Sequence, residues 1–345
     1  DGTYLTGTKL QAVVFSPDET RAYVAGNGKI YAIDLVSFKL IDTIQIPGGK
    51  NVVSLAAEGD YLYIGEGNGY GQGAGGYRIL ALDINPGSEN YDTNPITLKG
   101  TGIEDSTYGV AGMSVGPEGS TLIVTVPKAR NNFGAGSRGP AGDVLVFDLG
   151  SLDFDTGRID KPVVAGYGNL VNTLQWPQTV TATYDADRFL VTSPNDYNHG
   201  LATLTLTRDA NDKVTAAKIV AIDMSQKDRD VRVDRLDIQR AQSAVLVTDD
   251  NGNEYAIVSD DNYNFLDPYM KAMYEAPMFV QLSPMGPPTP VGGSASAKKV
   301  AIGGKLGIVK DPFGPNPQFI GATLPLDGYG IINLSLSEDG KVLVG

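Results

Sequence analysis

Residues 10–49, LQAVVFSPDETRAYVAGNGKIYAIDLVSFKLIDTIQIPGG, limit the fold more tightly than any other stretch of the chain. They hold four short runs, 10–15, 21–25, 29–35 and 39–46, rich in β-branched and aromatic residues and too short for stable helices. Between the runs lie Ser16-Pro17-Asp18-Glu19, Gly26-Asn27-Gly28 and Val36-Ser37, residues that supply turn geometry. Four strands joined by three tight turns form one antiparallel meander. Such a unit twists and cannot bury both its faces alone, so it needs neighbours of its own kind.

The chain supplies them. A second copy runs over 52–102 (VVSLAA, YLYIGE, YRILALDI, PITLKG) and a third begins near Val110 (AGMSV, TLIVTV, DVLVFDL, KPVVAGY). The third strands end alike, as Ile33-Asp34-Leu35, Leu82-Asp83-Ile84 and Phe147-Asp148-Leu149. The first hairpins share Ser16-Pro17-Asp18-Glu19, Gly116-Pro117-Glu118-Gly119 and, at the end of the chain, Ser337-Glu338-Asp339-Gly340. Recurrence in several copies reads Asp34, Asp83 and Asp148 as turn-fixing residues, because a catalytic group is needed once.

The fourth copy, from about Thr179, leaves its register open: Thr205 stands where the Asp is expected, and Ile222-Asp223-Met224 competes for the match. The fifth has strands in SAVLVTD, EYAIVSD, KLGIVKD and QFIGATL, with a long insertion holding a short helical stretch over 266–274 or an extra blade. Asn251-Gly252 between two of these strands reads as a hairpin turn rather than a calcium loop. Trp176, beside Pro177, is expected to fill the gap between the third and fourth copies.

Repeats of this length that close into a ring protect their edges, and the expected fold is an all-β propeller of four-stranded antiparallel blades. Six blades are expected, with seven as the alternative. The expected blades are 10–51, 52–105, 108–172, 174–235, 236–328, and a last one from 329–345 with a strand from 1–9, all in one domain, 1–345.

The motif Ser16-Pro17-Asp18, then Ala22-Tyr23-Val24-Ala25, then Ile33-Asp34 resembles the YVTN-type propeller repeat, a relative of the WD40 and lactonase-like propellers. The resemblance covers the first copy best and fades in the fourth and fifth. It implies an all-β ring, often in exported or surface proteins, serving as a binding or scaffold module. No ligand follows from it.

Composition narrows the partners. A net charge of -13 disfavours binding nucleic acid or an anionic membrane through a basic surface. No run approaches the ~18 apolar residues of a membrane helix. Cysteine is absent, which excludes disulfides, thiolate metal sites and cysteine nucleophiles. The start at Asp1, without Met, and the opening of a further blade over 331–345 are expected of a segment taken from a longer exported or cell-surface chain, with the periplasm as the alternative.

Long loops fall at one junction, between second and third strands: 67–76, 127–142, 193–200 and 259–277. These connections and those between blades share one face of a propeller, and loops on a rigid scaffold are where binding is placed. Tyr70, Phe133, Tyr197, Tyr263, Phe265, Tyr269 and Tyr274 lie in them, suited to stacking on sugar rings, anchoring a protein partner or a neighbouring domain, or packing the loops down.

Two loops repeat each other, Ser193-Pro194-Asn195-Asp196-Tyr197-Asn198 and Ser259-Asp260-Asp261-Asn262-Tyr263-Asn264. Asp260, Asp261, Asn262 and Asp267, with Asp196 in the sister loop, offer the oxygens that Ca2+ takes, although Asp and Asn also bond their own backbone in Asx-turns. No other cofactor is expected. His199 is the one histidine, and beside Asp196 it is a candidate ligand-binding residue or a solvated loop residue. No G-x-S-x-G elbow occurs, and the glycines of 67–76 lack a P-loop Lys. The first expectation is therefore a non-catalytic module binding a protein or glycan. A propeller hydrolase of lactonase or glycosidase type and a structural spacer are the alternatives.

Overall fold

Where the repeat places turns, the chain turns. The computed structural model describes residues 10–48, 50–67, 76–106, 108–127, 143–166, 177–193, 200–224, 238, 241–260, 304–322, 334–336 and 343–344. These form five four-stranded antiparallel sheets, each in sequence order, and one hairpin.

The first blade is β1 (Leu10–Phe15), β2 (Arg21–Gly26), β3 (Lys29–Asp34) and β4 (Lys39–Gln45). The second is β5 (Val52–Glu58), β6 (Tyr61–Glu66), β7 (Ile79–Asp83) and β8 (Ile96–Thr97). The third is β9 (Gly112–Val115), β10 (Thr121–Val126), β11 (Asp143–Asp148) and β12 (Val163–Gly166). The fourth is β13 (Thr179–Ala182), β14 (Arg188–Thr192), β15 (Leu201–Arg208) and β16 (Val214–Ile222), and the fifth is β17 (Ala241–Thr248), β18 (Glu254–Asp260), β19 (Lys305–Lys310) and β20 (Gln318–Ala322). The hairpin pairs β21 (Ser335–Leu336) with β22 (Leu343–Val344).

Local chemistry sets these ends. Asn27 and Gly28 take φ of 54° and 71°, the left-handed pair that a two-residue hairpin requires. Asp34 accepts hydrogen bonds from the Ser37 backbone and hydroxyl, both at 2.6 Å. Asp83 accepts from Asn85 N at 2.9 Å and Asp148 from Gly150 N at 2.9 Å, so the recurring Asp holds the turn out of the third strand. Ser37 holds the exposed Asp34 carboxyl below its usual range.

In the fourth blade Thr205 does take the place of the Asp, paired with Arg188 as Asp34 is with Arg21 and Asp83 with Tyr61, while Ile222 ends the fourth strand. Strand β15 runs past Thr205 to Arg208, and the turn-holding carboxylate is Asp209, which accepts from Asn211 N at 2.8 Å and Lys213 N at 3.1 Å. The third strand is simply longer, so the Asp arrives later. Asp249 accepts from Asn251 N and Asn253 N, each at 2.9 Å, and the segment 249–253 is a turn as expected.

The first strands β1, β5, β9, β13 and β17 contact each other in succession, which makes them the inner strands of a propeller. One apolar cluster fills each seam. Tyr23 and Ile30 meet Leu62 and Leu80 between the first two blades, and Tyr63 and Ile79 meet Leu122 and Phe147 at the next. Ile123 and Val146 meet Phe189 and Leu204, and Leu190 and Leu201 meet Leu246 and Val258. Each such side chain contributes about 1.5 to 3 kcal/mol on burial. Hydroxyls tie the same seams near the axis: Thr125 donates to Gln178 O and Thr192 to Gln242 O, both at 2.9 Å, while Ser54 accepts from Met113 N at 2.9 Å.

A further contact recurs on the face bearing the first hairpins. The residue that opens a blade's second strand closes on the connection between third and fourth strands of the next blade. Arg21 lies over the Tyr91 ring at 4.9 Å, Tyr61 stacks on Phe154 at 3.7 Å and 11°, and Arg188 lies over Phe313 at 4.9 Å. At the third seam Thr121 accepts from Arg208 Nη2 at 2.9 Å.

Candidate functional site

The opposite face carries the second-to-third-strand connections, and their span follows from the strand ends. They run 27–28, 67–78, 127–142, 193–200 and 261–304, against first hairpins no longer than the five residues of 16–20. Antiparallel order places the connections between blades on that same face, and hydrogen bonds show it: Gly67 N donates to Asn51 O at 3.0 Å and Val110 N to Glu66 O at 2.9 Å.

The floor beneath the loops is built best in the second blade. Glu66 ends β6 fully buried, and its carboxylate receives Arg78 Nε at 2.8 Å and Nη2 at 2.5 Å. Arg78 also donates to Pro47 O in the preceding inter-blade connection. Glu66 raises the Arg78 pKa, and a bidentate pair with one buried partner holds this cation in a single orientation. Its side chain keeps 23% exposure toward the loop side, while Lys50 Nζ lies 4.8 Å over the buried Tyr77 ring. The close approach here admits only glycine: a Cβ on Gly67 would lie 2.1 Å from Val110 O.

The fifth blade repeats this arrangement of charges. Asp260 ends β18 and faces Lys305, the first residue of β19, across the ladder, and the two are 0% and 3% exposed. An acid closing the second strand opposite a base at the entry to the third, Arg78 just before β7 and Lys305 at the start of β19, thus marks both blades. Nothing singled out Glu66, Arg78 and Lys305 in the sequence, although a carboxylate ending an otherwise apolar run such as YLYIGE was the available signal.

Of the candidate ligand-binding and metal-holding residues, Asp260 alone lies among the described residues. Tyr70, Phe133, Asp196, Tyr197, His199, Asp261, Asn262, Tyr263, Phe265, Asp267, Tyr269 and Tyr274 lie outside them, as do Trp176 and the stretch 266–274. Among the described residues no group of three or more His, Cys, Asp or Glu is placed to hold a metal ion. No helix there is long and apolar enough to cross a membrane.

No family model and no curated protein matches the chain. Solved structures do. A chain of the mitotic checkpoint complex is similar with a TM-score of 0.54 at 12% identity, over 99% of this chain and 72% of that one. Hydrazine synthase of Kuenenia stuttgartiensis is similar with a TM-score of 0.55 at 14% identity, over 97% and 79%. At such identities the likeness is one of fold. The chain is an all-β propeller of four-stranded antiparallel blades.

Proposed function

We propose that this propeller is a non-catalytic interaction module that takes a protein partner on its loop-bearing face. One observation carries the reading: from the second blade on, every described blade lengthens its second-to-third-strand connection, while the first hairpins stay short. Enlargement at the same junction in four successive blades of a rigid ring is how a scaffold presents a surface. The buried carboxylates Glu66 and Asp260 stand at the roots of two of these loops.

The motif of residues 16–34 supports placing the chain in the YVTN-type branch, exported or at the cell surface. Glycans are the second partner class, through Tyr70, Phe133, Tyr197, His199, Tyr263, Phe265 and Tyr269. Ca2+ held by Asp260, Asp261, Asn262 and Asp267, with Asp196 in the sister loop, would stiffen that face. Raising Ca2+ to millimolar on an EDTA-treated chain is expected to lift the melting temperature, and an unchanged melt removes the cation from the reading.

The deciding experiment replaces 194–199 by a two-residue Asn-Gly turn and compares capture from an extract, and binding to a glycan array, with the intact chain. A discrete ligand kept by the intact chain and lost by the folded variant is expected. Equal retention by both, or turnover of a lactone or glycoside by the intact chain, overturns the proposal.

A further inference from the structure

With 40 acidic residues against 27 basic ones, cations are the minority charge of this chain, yet two of them meet at the root of the second blade's long loop. Lys50 lies in the connection that enters the blade and Arg78 just before β7. The two segments face each other reciprocally. A Cβ on Gly48 would lie 3.2 Å from Arg78 Nη2 and 3.8 Å from Nη1, and a Cβ on Gly76 would lie 3.5 Å from Lys50 Nζ. Each cation therefore sits across from a glycine that is two residues from the other cation. Both glycines have positive φ, 91° and 68°, which disfavours a side chain at the positions that would cover the cations.

The counter-charge is supplied from one side only. Glu66 takes Nε and Nη2 of Arg78, and Nη2 also donates to Pro47 O, whereas the described residues give Nη1 no hydrogen bond. Lys50 Nζ stands over the Tyr77 ring, which attracts an ammonium without neutralising it. Neither 45–53 nor 67–78 contains an acidic residue, so the loop between β6 and β7 brings no carboxylate of its own. In the neighbouring segment, which meets this one through Gly76 N and Glu104 O at 2.9 Å, the Glu104 carboxylate takes the Thr101 hydroxyl at 3.1 Å. Glu66, Arg78 and Lys50 together leave one net positive charge.

We propose that Lys50 and the Nη1 edge of Arg78 bind a carboxylate side chain of the protein partner. The inference rests on the reading that a protein is taken on this face, and it names the chemistry by which one is recognised. One net positive charge matches a monoanion, and a phosphate dianion would stay half neutralised. The buried Glu66 fixes the guanidinium before the ligand arrives, so little side-chain freedom is lost on binding.

The field of the whole molecule makes the test selective. A net charge of -13 repels anions at long range, so retention of an acidic peptide requires a local cation site. A capped, rhodamine-labelled peptide of four glutamates flanked by glycines is expected to bind more tightly, by fluorescence anisotropy at low salt, than the same peptide with glutamines. Lys50→Gln is expected to weaken it about 3- to 5-fold and Lys50→Arg to retain it. Lys39→Gln makes the same change of charge at the exposed start of β4, on the opposite face, and is expected to leave binding unchanged.

Equal binding of the glutamate and glutamine peptides overturns the proposal, as does an equal loss in Lys50→Gln and Lys39→Gln or in Lys50→Gln and Lys50→Arg. A phosphoserine peptide that binds more tightly than the glutamate peptide overturns the carboxylate assignment. These measurements use a defined peptide and stand apart from the exchange of 194–199. A partner lost on that exchange but kept by Lys50→Gln removes the carboxylate site and leaves the interaction module standing.

Discussion

Asp92, in the third-to-fourth connection of the second blade, lies 3.9 Å from the Arg21 guanidinium of the first, its side chain only 6% exposed. Arg21 Nη1, Asp92 Oδ1 and the Tyr23 hydroxyl are buried there without hydrogen-bond partners. Burial pushes the Asp92 carboxyl up to about 6; Arg21 opposes this, and Asp42 and Asp83 add to it. The same desolvation, with Asp92 nearby, pushes Tyr23 up to about 12.

The sign of the pH dependence follows. Folded Asp92 keeps its proton up to about 6, whereas an unfolded Asp loses it near 3.8, so the stabilisation is complete below the lower value and is lost as pH rises through the higher. Between pH 4 and 7 this group is expected to remove on the order of 2 kcal/mol. Asp92→Asn should flatten that part of the curve and melt a few degrees higher at pH 7.5. Parallel melting curves for the two chains from pH 5 to 8 would contradict this.

Glu66 and Arg78 give a prediction of the opposite kind. Arg78→Met leaves a fully buried carboxylate without its cation, which costs about 3 to 5 kcal/mol when one partner of a buried pair is removed. Replacing both residues, as Glu66→Leu with Arg78→Met, should recover much of that loss. Urea unfolding of the three chains measures it, and a double variant weaker than Arg78→Met would show that the pair contributes net stability.

Between the second and third blades, Tyr61 stacked on Phe154 predicts a coupling of about 0.5 to 1.5 kcal/mol in a double-mutant cycle to alanine. Independent losses would mean that the two rings fill space without supporting each other.

Gly109→Ala tests the backbone at the loop roots. With φ at 72°, and with a Cβ lying 2.5 Å from Glu66 O and 2.6 Å from Tyr77 Cγ, the variant is expected to lose about 2 kcal/mol or more. Gly252→Ala, at φ 80° with nothing within 4 Å, isolates the conformational part and should cost about 1 kcal/mol. Equal losses would count against crowding at Gly109.

The blades were legible because strand period, turn residues and the terminal Asp are all local signals. The second blade's YLYIGE became β6 and the fifth blade's KLGIVKD became β19 with little shift. What escaped depends on distance in space. Arg21 reads as a surface residue opening a strand, and only a neighbouring blade shows it beside Asp92 and Tyr91. Thr205 stands in the Asp position opposite Arg188, but β15 runs on to Arg208 and the turn is held by Asp209, which its sequence offset hid. Glu66 looked ordinary because its base lies beyond a long loop, at Arg78.

The reaching residues Arg21, Tyr61, Thr121 and Arg188 open their strands on one face, while the lengthened second-to-third-strand loops leave from the strand ends on the other. Changes that alter what the protein recognises therefore fall a full strand away from the contacts that hold blade to blade. Such a ring can drift in specificity under mutation while its assembly stays under separate selection.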